Sequence, residues 1–138
     1  ADVPEEKRYD RIISIATLEH ICNLPEVVAQ SALLIAPQGS FRASIPSEGT
    51  LLWWLGWKLT TGIDFRIKYG LDYTVIRDYD HVNTAKEIEV ILNYFFKKVR
   101  SKCRGFCKRL SFYQFYECSE PDIERSRDYL ETLNNAAE

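Results

Sequence analysis

The segment Tyr9–Pro46 constrains the fold more than any other part of the chain, because it reads as strand, helix and strand with little slack between them. Ile12, Ile13 and Ile15 form a short apolar run interrupted by Ser14, which predicts a strand buried on both faces. Glu19 and His20 fall at its exit. Asn23 then stands where a helix needs a cap, Pro25 suits the first turn, and Glu26 completes a capping-box spacing. Leu24, Val27, Val28, Ala32 and Ile35 recur at helical spacing and make one apolar face. Ala36-Pro37-Gln38-Gly39 predicts the helix end, since proline cannot continue it and glycine permits a turn. From Ser40 the chain alternates, with Phe41, Ala43 and Ile45 on one side and Arg42 and Ser44 on the other. Such a unit is expected to be parallel and right-handed, and open α/β sheets place ligands just past the carboxyl ends of their strands. Glu19 and His20 are therefore the first candidates for chemistry.

The remainder supplies fewer signals. Pro46-Ser47-Glu48-Gly49 turns the chain, and Thr50 to Leu59 reads as a helix apolar nearly all round, with Leu51, Trp54, Leu55 and Lys58 on one face and Trp53 and Trp57 on another. Gly62 to Asp80, rich in aromatics and charges, has no dominant period and reads as a loop with short helical pieces. Past His81, Thr84 and Glu87 form a capping box for a helix whose buried stripe is Ile88, Ile91, Leu92 and Phe95. Lys97 to Arg104 and Leu110 to Cys118 read as an antiparallel hairpin around Gly105. A short terminal helix follows, with Pro121 in its first turn and a frayed end over Asn134 to Glu138.

At 138 residues and 46% hydrophobic the chain can bury a core and is expected to form a single domain, 1–138, with an insertion over about 47–82 and a hairpin over about 97–118. A formal charge of −2 gives no reason to expect nucleic acid as a partner, and the local basic stretch from Lys97 to Arg109 reads as a solvated hairpin. Neither a leader signal nor an apolar run long enough to span a bilayer is visible, so a cytoplasmic location is the default expectation. Cys103 and Cys107 have a C-x3-C spacing without a second pair, and with Cys22 and Cys118 they read as reduced structural thiols.

The order D-R-I-I-S-I-A-T-L-E-H-I, then L-P-E-V-V-A-Q-S-A-L-L-I-A-P-Q-G-S-F-R-A-S-I-P, resembles the central segment of class I S-adenosylmethionine-dependent methyltransferases, type 11-like. In that family the fourth strand leads into a leucine-glutamate-histidine turn, a helix, a proline-glycine turn and the fifth strand. The resemblance implies an α/β fold, a partial Rossmann-like domain whose mixed sheet of about four strands corresponds to family strands 4, 5, 7 and 6, with flanking helices and a helical insertion. It implies methyl transfer from S-adenosylmethionine to a small acceptor. Ala16, Thr17, Leu18 and Glu19 would lie against the cofactor, and the insertion would contribute acceptor contacts at Ser47, Glu48, Trp53, Tyr69 and Tyr73. Histidine exchanges protons at neutral pH, so His20 and His81 are the candidate bases.

Other expected family features are missing. No pair of glycines has the G-x-G spacing of a nucleotide turn, and only eight residues precede Tyr9, too few for three earlier strands. The resemblance therefore implies the carboxyl-terminal half of a domain, expected to be inactive alone. The alternative is a non-catalytic interaction or dimerisation module derived from the same fold. Truncation would leave Tyr9–Ala16 as an exposed strand edge, which predicts a homodimer. Some small-RNA 2′-O-methyltransferases carry E-x-x-E-H at this turn with a later histidine as metal ligands. Glu19, His20 and His81 would be the counterparts, but Ala16 replaces the first acid, so no metal site is expected.

Overall fold

The structure is a computed structural model, and it describes residues 7–46, 63, 67–68, 82–107 and 110–137. Strand β1 (Tyr9–Ile15) leads through a 3-10 turn (Leu18–His20) into helix α1 (Leu24–Leu34) and strand β2 (Ile35–Pro46). Helix α2 (Ala85–Phe95), strands β3 (Phe96–Cys107) and β4 (Leu110–Pro121), and helix α3 (Ile123–Ala137) complete it. The four strands form one mixed sheet in the order β1-β2-β4-β3. β1 and β2 are parallel, while β4 runs antiparallel to both of its neighbours. The last strand of the chain is thus inserted between the second and the third.

Register explains which face is dry. Ile12 pairs with Phe41, Phe41 with Cys118 and Cys118 with Val99, so one row of apolar side chains crosses the whole sheet on one side. Against this face pack Leu24, Val28 and Ala32 of α1 and Ile88, Leu92 and Phe95 of α2, all fully or almost fully buried. Truncating one of these leucines to alanine is expected to cost about 2–5 kcal/mol. α1 also packs on α3, and an edge-to-face contact of Phe95 with Tyr129, at 5.3 Å, ties α2 to α3. Tyr116 closes the buried face with its hydroxyl donating to Gln114 Oε1 at 2.8 Å, and burial together with the Glu89 carboxylate pushes that phenol well above its ordinary range.

Several local expectations change. β1 is not buried on both faces: Ile12 is half-buried, but Ile13 and Ile15 are 59% and 69% exposed. A period-two strand reveals which side chains share a face, not whether a second layer covers them. Asn23 occupies the cap position of α1, but its carboxamide bonds the Glu26 carboxylate instead of a backbone N–H. β2 begins directly at Ile35, and the Ala36–Gly39 segment is a bulge, since Tyr9 pairs with Ile35 and Arg11 with Ser40. Gly39 is needed there for close approach: a Cβ would meet the Tyr9 carbonyl oxygen at 2.9 Å and that of Asp10 at 3.0 Å. Gly105 lies inside β3 at a register shift, not at the hairpin tip. Pro121 ends β4, and Asp122 caps α3 by accepting from the Arg125 N–H at 3.2 Å, with the helix running on to Ala137. The Thr84–Glu87 capping box forms as the sequence predicts.

Candidate functional site

The carboxyl end of β1 is built as a sharp, held turn. The Ala16 N–H donates to the Ser44 carbonyl at 2.8 Å, which carries the parallel ladder one residue past the strand. Ala16 then adopts φ 48°, a left-handed conformation that costs an alanine energy and persists only where neighbours enforce it. Thr17 Oγ1 donates to the Ile15 carbonyl at 2.9 Å, and the His20 N–H donates to the Thr17 carbonyl at 3.0 Å. The result is a corner whose outer surface is Ala16, Thr17 and His20, with Leu18 and Glu19 folded beneath it.

The corner is clamped from far along the chain. The Glu19 carbonyl accepts the N–H groups of Val82 at 2.9 Å and Asn83 at 3.1 Å. The Asn83 carboxamide donates to the carbonyls of Leu18 at 3.0 Å and Ile21 at 2.7 Å. One side chain therefore bonds the first carbonyl of the 3-10 turn and the carbonyl of the residue that follows the turn. Thr84 and Glu87 fix the start of α2 immediately afterwards, so the clamp is anchored to a helix packed in the core. Asn83 is a site residue that sequence reasoning missed. Its adjacency to His81 and Thr84 was the sole local hint, because its partners lie more than sixty residues away.

Glu19 is the unusual group. It is 3% exposed, and Oε2 is buried without a hydrogen-bond partner among the described residues. Its other oxygen, Oε1, lies 3.9 Å from His20 Nε2, and the His20 imidazole is 44% exposed. A buried carboxylate oxygen without a partner is costly and uncommon. Chemically, the pair sets an imidazole at the surface with a buried carboxyl group behind it, beside an exposed stretch of backbone at Ala16 and Thr17.

Of the predicted site residues, Ala16, Thr17, Leu18, Glu19 and His20 come together in this corner, but only Ala16, Thr17 and His20 present surface. His81 and the proposed acceptor contacts Ser47, Glu48, Trp53, Tyr69 and Tyr73, like the predicted Trp-rich helix, lie outside the described residues. Among the described residues no three His, Cys, Asp or Glu side chains gather as a metal site. No described helix is long and apolar enough to cross a membrane. Cys118 is buried at 0% exposure, and burial with the nearby Glu117 charge pushes its thiol up to about 12, which suits an inert structural cysteine.

No protein-family model matches the sequence, and no curated protein matches it. Among solved structures the chain is similar to an O-methyltransferase family protein from Burkholderia thailandensis, at 13% identity and a TM-score of 0.49. The likeness covers 84% of this chain, which spans 31% of the length of that one.

Proposed function

We propose that these residues form the carboxyl-terminal half of an S-adenosylmethionine-dependent methyltransferase domain and supply one wall of its methyl-transfer site. The observation that carries the reading is the sheet order, in which an antiparallel final strand is inserted beside a parallel pair whose first strand exits into the strained leucine-glutamate-histidine corner. That is the order the sequence resemblance implies for family strands 4, 5, 7 and 6. The donor set fits such a cofactor in part: exposed backbone at Ala16 and Thr17 can lie against it, and a Glu19 carboxyl oxygen without a partner among the described residues lies just beneath.

When bound, the cofactor supplies a methyl group activated on a cationic sulfur. Ala16 and Thr17 would shape the pocket and exclude water, and His20 would take up the proton that the acceptor gives up. Glu19 Oε1, 3.9 Å from His20 Nε2, stabilises the resulting imidazolium. Alignment of the acceptor accounts for most of the acceleration, and this half alone cannot provide it. Residues 1–138 on their own are therefore expected to be inactive, with activity appearing only in a polypeptide where a glycine-rich strand-turn-helix precedes them. The test is transfer of radiolabelled methyl to a panel of hydroxyl, amine and carboxylate acceptors by that longer polypeptide. Replacing Thr17 by arginine is expected to abolish transfer while circular dichroism shows the fold retained. Unchanged transfer in that variant would refute the assignment of this corner.

A second reading is favoured by one specific observation. β1 sits at the sheet edge, and among the described residues no strand pairs with its outer side. An edge of this kind recruits another chain, so a non-catalytic module that dimerises through antiparallel pairing of Tyr9–Ala16 is the alternative. A monomer by light scattering of the 138-residue chain at high concentration would remove this pairing.

A further inference from the structure

Among the described residues the sheet has one dry face and one open face, and register specifies the open one row by row. Ile13 pairs with Arg42, Arg42 with Glu117, and Glu117 with Arg100. In the next row Ile15 pairs with Ser44, Ser44 with Phe115, and Phe115 with Lys102. A third row holds Pro46, Tyr113 and Arg104. The outward side chains thus sort into an apolar group, Ile13, Ile15, Tyr113 and Phe115, each at least 40% exposed, and a basic group, Arg42, Arg100, Lys102 and Arg104. Tyr113 and Phe115 stack with ring centroids 6.4 Å apart. The first two rows line a groove of about 470 Å³.

We infer that this face is the docking site for an amphipathic helix with an apolar stripe and acidic flanks, carried by a polypeptide outside residues 1–138. Two independent features select that occupant. Parallel strand pairs occur almost only where both sheet faces are covered, and the usual cover is a helix layer, yet β1 and β2 leave two isoleucines outward. Charge then selects the flanks. Those three rows contain four cationic side chains and a single carboxylate, Glu117, which is already bonded by Arg42 and held below the usual carboxylate range first by that bond and then by the Arg42, Arg100 and Lys102 charges. A second copy meeting this face with its own would set like charges against each other. A nucleic-acid strand would stack on Tyr113 and Phe115 but leave Ile13 and Ile15 wet, while an acidic amphipathic helix satisfies both groups. The inference does not use the methyl-transfer reading, since an interaction module would need the same cover.

The test is a titration of the 138-residue chain, labelled at isoleucine δ-methyl groups, with two synthetic helices of about 18 residues that share a leucine stripe and differ in glutamate or lysine flanks. The glutamate helix is expected to shift the Ile13 and Ile15 methyl signals, leave buried Ile88 unmoved, and bind at least about tenfold more tightly than the lysine helix. Arg42→Glu, Arg100→Glu and Lys102→Glu together, with folding checked by circular dichroism, are expected to erase that preference. Equal binding of the two helices, or no movement at Ile13 and Ile15, overturns the inference. So does tighter binding of a thymidine oligonucleotide of about 15 residues at the same methyls, or self-association that Ile15→Glu abolishes.

Discussion

Replacing Asn83 by aspartate keeps the shape of the side chain and removes both of its donors, which makes it the sharpest probe of how the β1 corner is held. In the native protein the carboxamide bonds two carbonyls, at 3.0 and 2.7 Å, in a half-buried setting. Each such bond is worth about 0.5–1.5 kcal/mol net, and an acceptor left unsatisfied costs toward the upper end or beyond. Asn83→Ala is therefore expected to destabilise by about 2–3 kcal/mol, the smaller side chain admitting water to the vacated carbonyls. Asn83→Asp is expected to cost more, because an ionised carboxylate would face two carbonyl oxygens of the same sign. With a urea m-value of about 1–3 kcal/mol/M, the alanine variant should lower the unfolding midpoint by roughly 0.7–3 M and the aspartate variant further. Acidification that protonates the introduced carboxylate should narrow the gap between them, since a carboxylic acid can donate once. If packing volume rather than donation held the corner, the near-isosteric aspartate would be the milder change. An aspartate variant at least as stable as the alanine variant at neutral pH refutes the reasoning.

Other consequences are more local. Gly39→Ala forces a Cβ against two backbone oxygens that cannot retreat, and should destabilise by about 1–3 kcal/mol in the same urea assay. Thr84→Ala removes the cap of α2 and should cost about 0.5–2 kcal/mol, with faster amide exchange in its first turn. Bonds from Thr84 hold Glu87, and bonds and charge from Arg42 hold Glu117, below the ordinary 4.5. A lowered folded value means stability is present above 4.5 and is lost as pH falls through the folded value. Glu87→Gln and Glu117→Gln should accordingly flatten the acid side of the stability–pH curve. Toward an aromatic disulfide reagent, exposed Cys22 should react in the native protein and Cys118 only after unfolding, as peptide mapping of the labelled thiols would report.

What the sequence discloses depends on how far apart the interacting residues are. The β1–α1–β2 unit, the capping box at Thr84 and Glu87, and the aromatic second strand of the hairpin are legible because their signals are periods and short spacings. The cap of α1 is not, since Asn23 can satisfy either a backbone N–H or Glu26 and only geometry chooses. The bulge at Ala36–Gly39 reads as a helix stop, yet the same glycine serves close approach to β1 across a gap of about thirty residues. The exposure of Ile13 and Ile15 could not be read from alternation, and it is what defines the open face. In the corner, Glu19 and His20 stand out as residue types, whereas the Asn83 clamp is a purely tertiary fact.

The account rests on the corner at Ala16–His20 being one wall of a shared cofactor site, and calorimetric titration with S-adenosylmethionine addresses that directly. Residues 1–138 alone are predicted to give no saturable binding, and a longer polypeptide in which a glycine-rich strand-turn-helix precedes them is predicted to bind at micromolar affinity and to lose that affinity in the Thr17→Arg variant. Saturable micromolar binding by residues 1–138 alone, or none by the longer polypeptide, would contradict it.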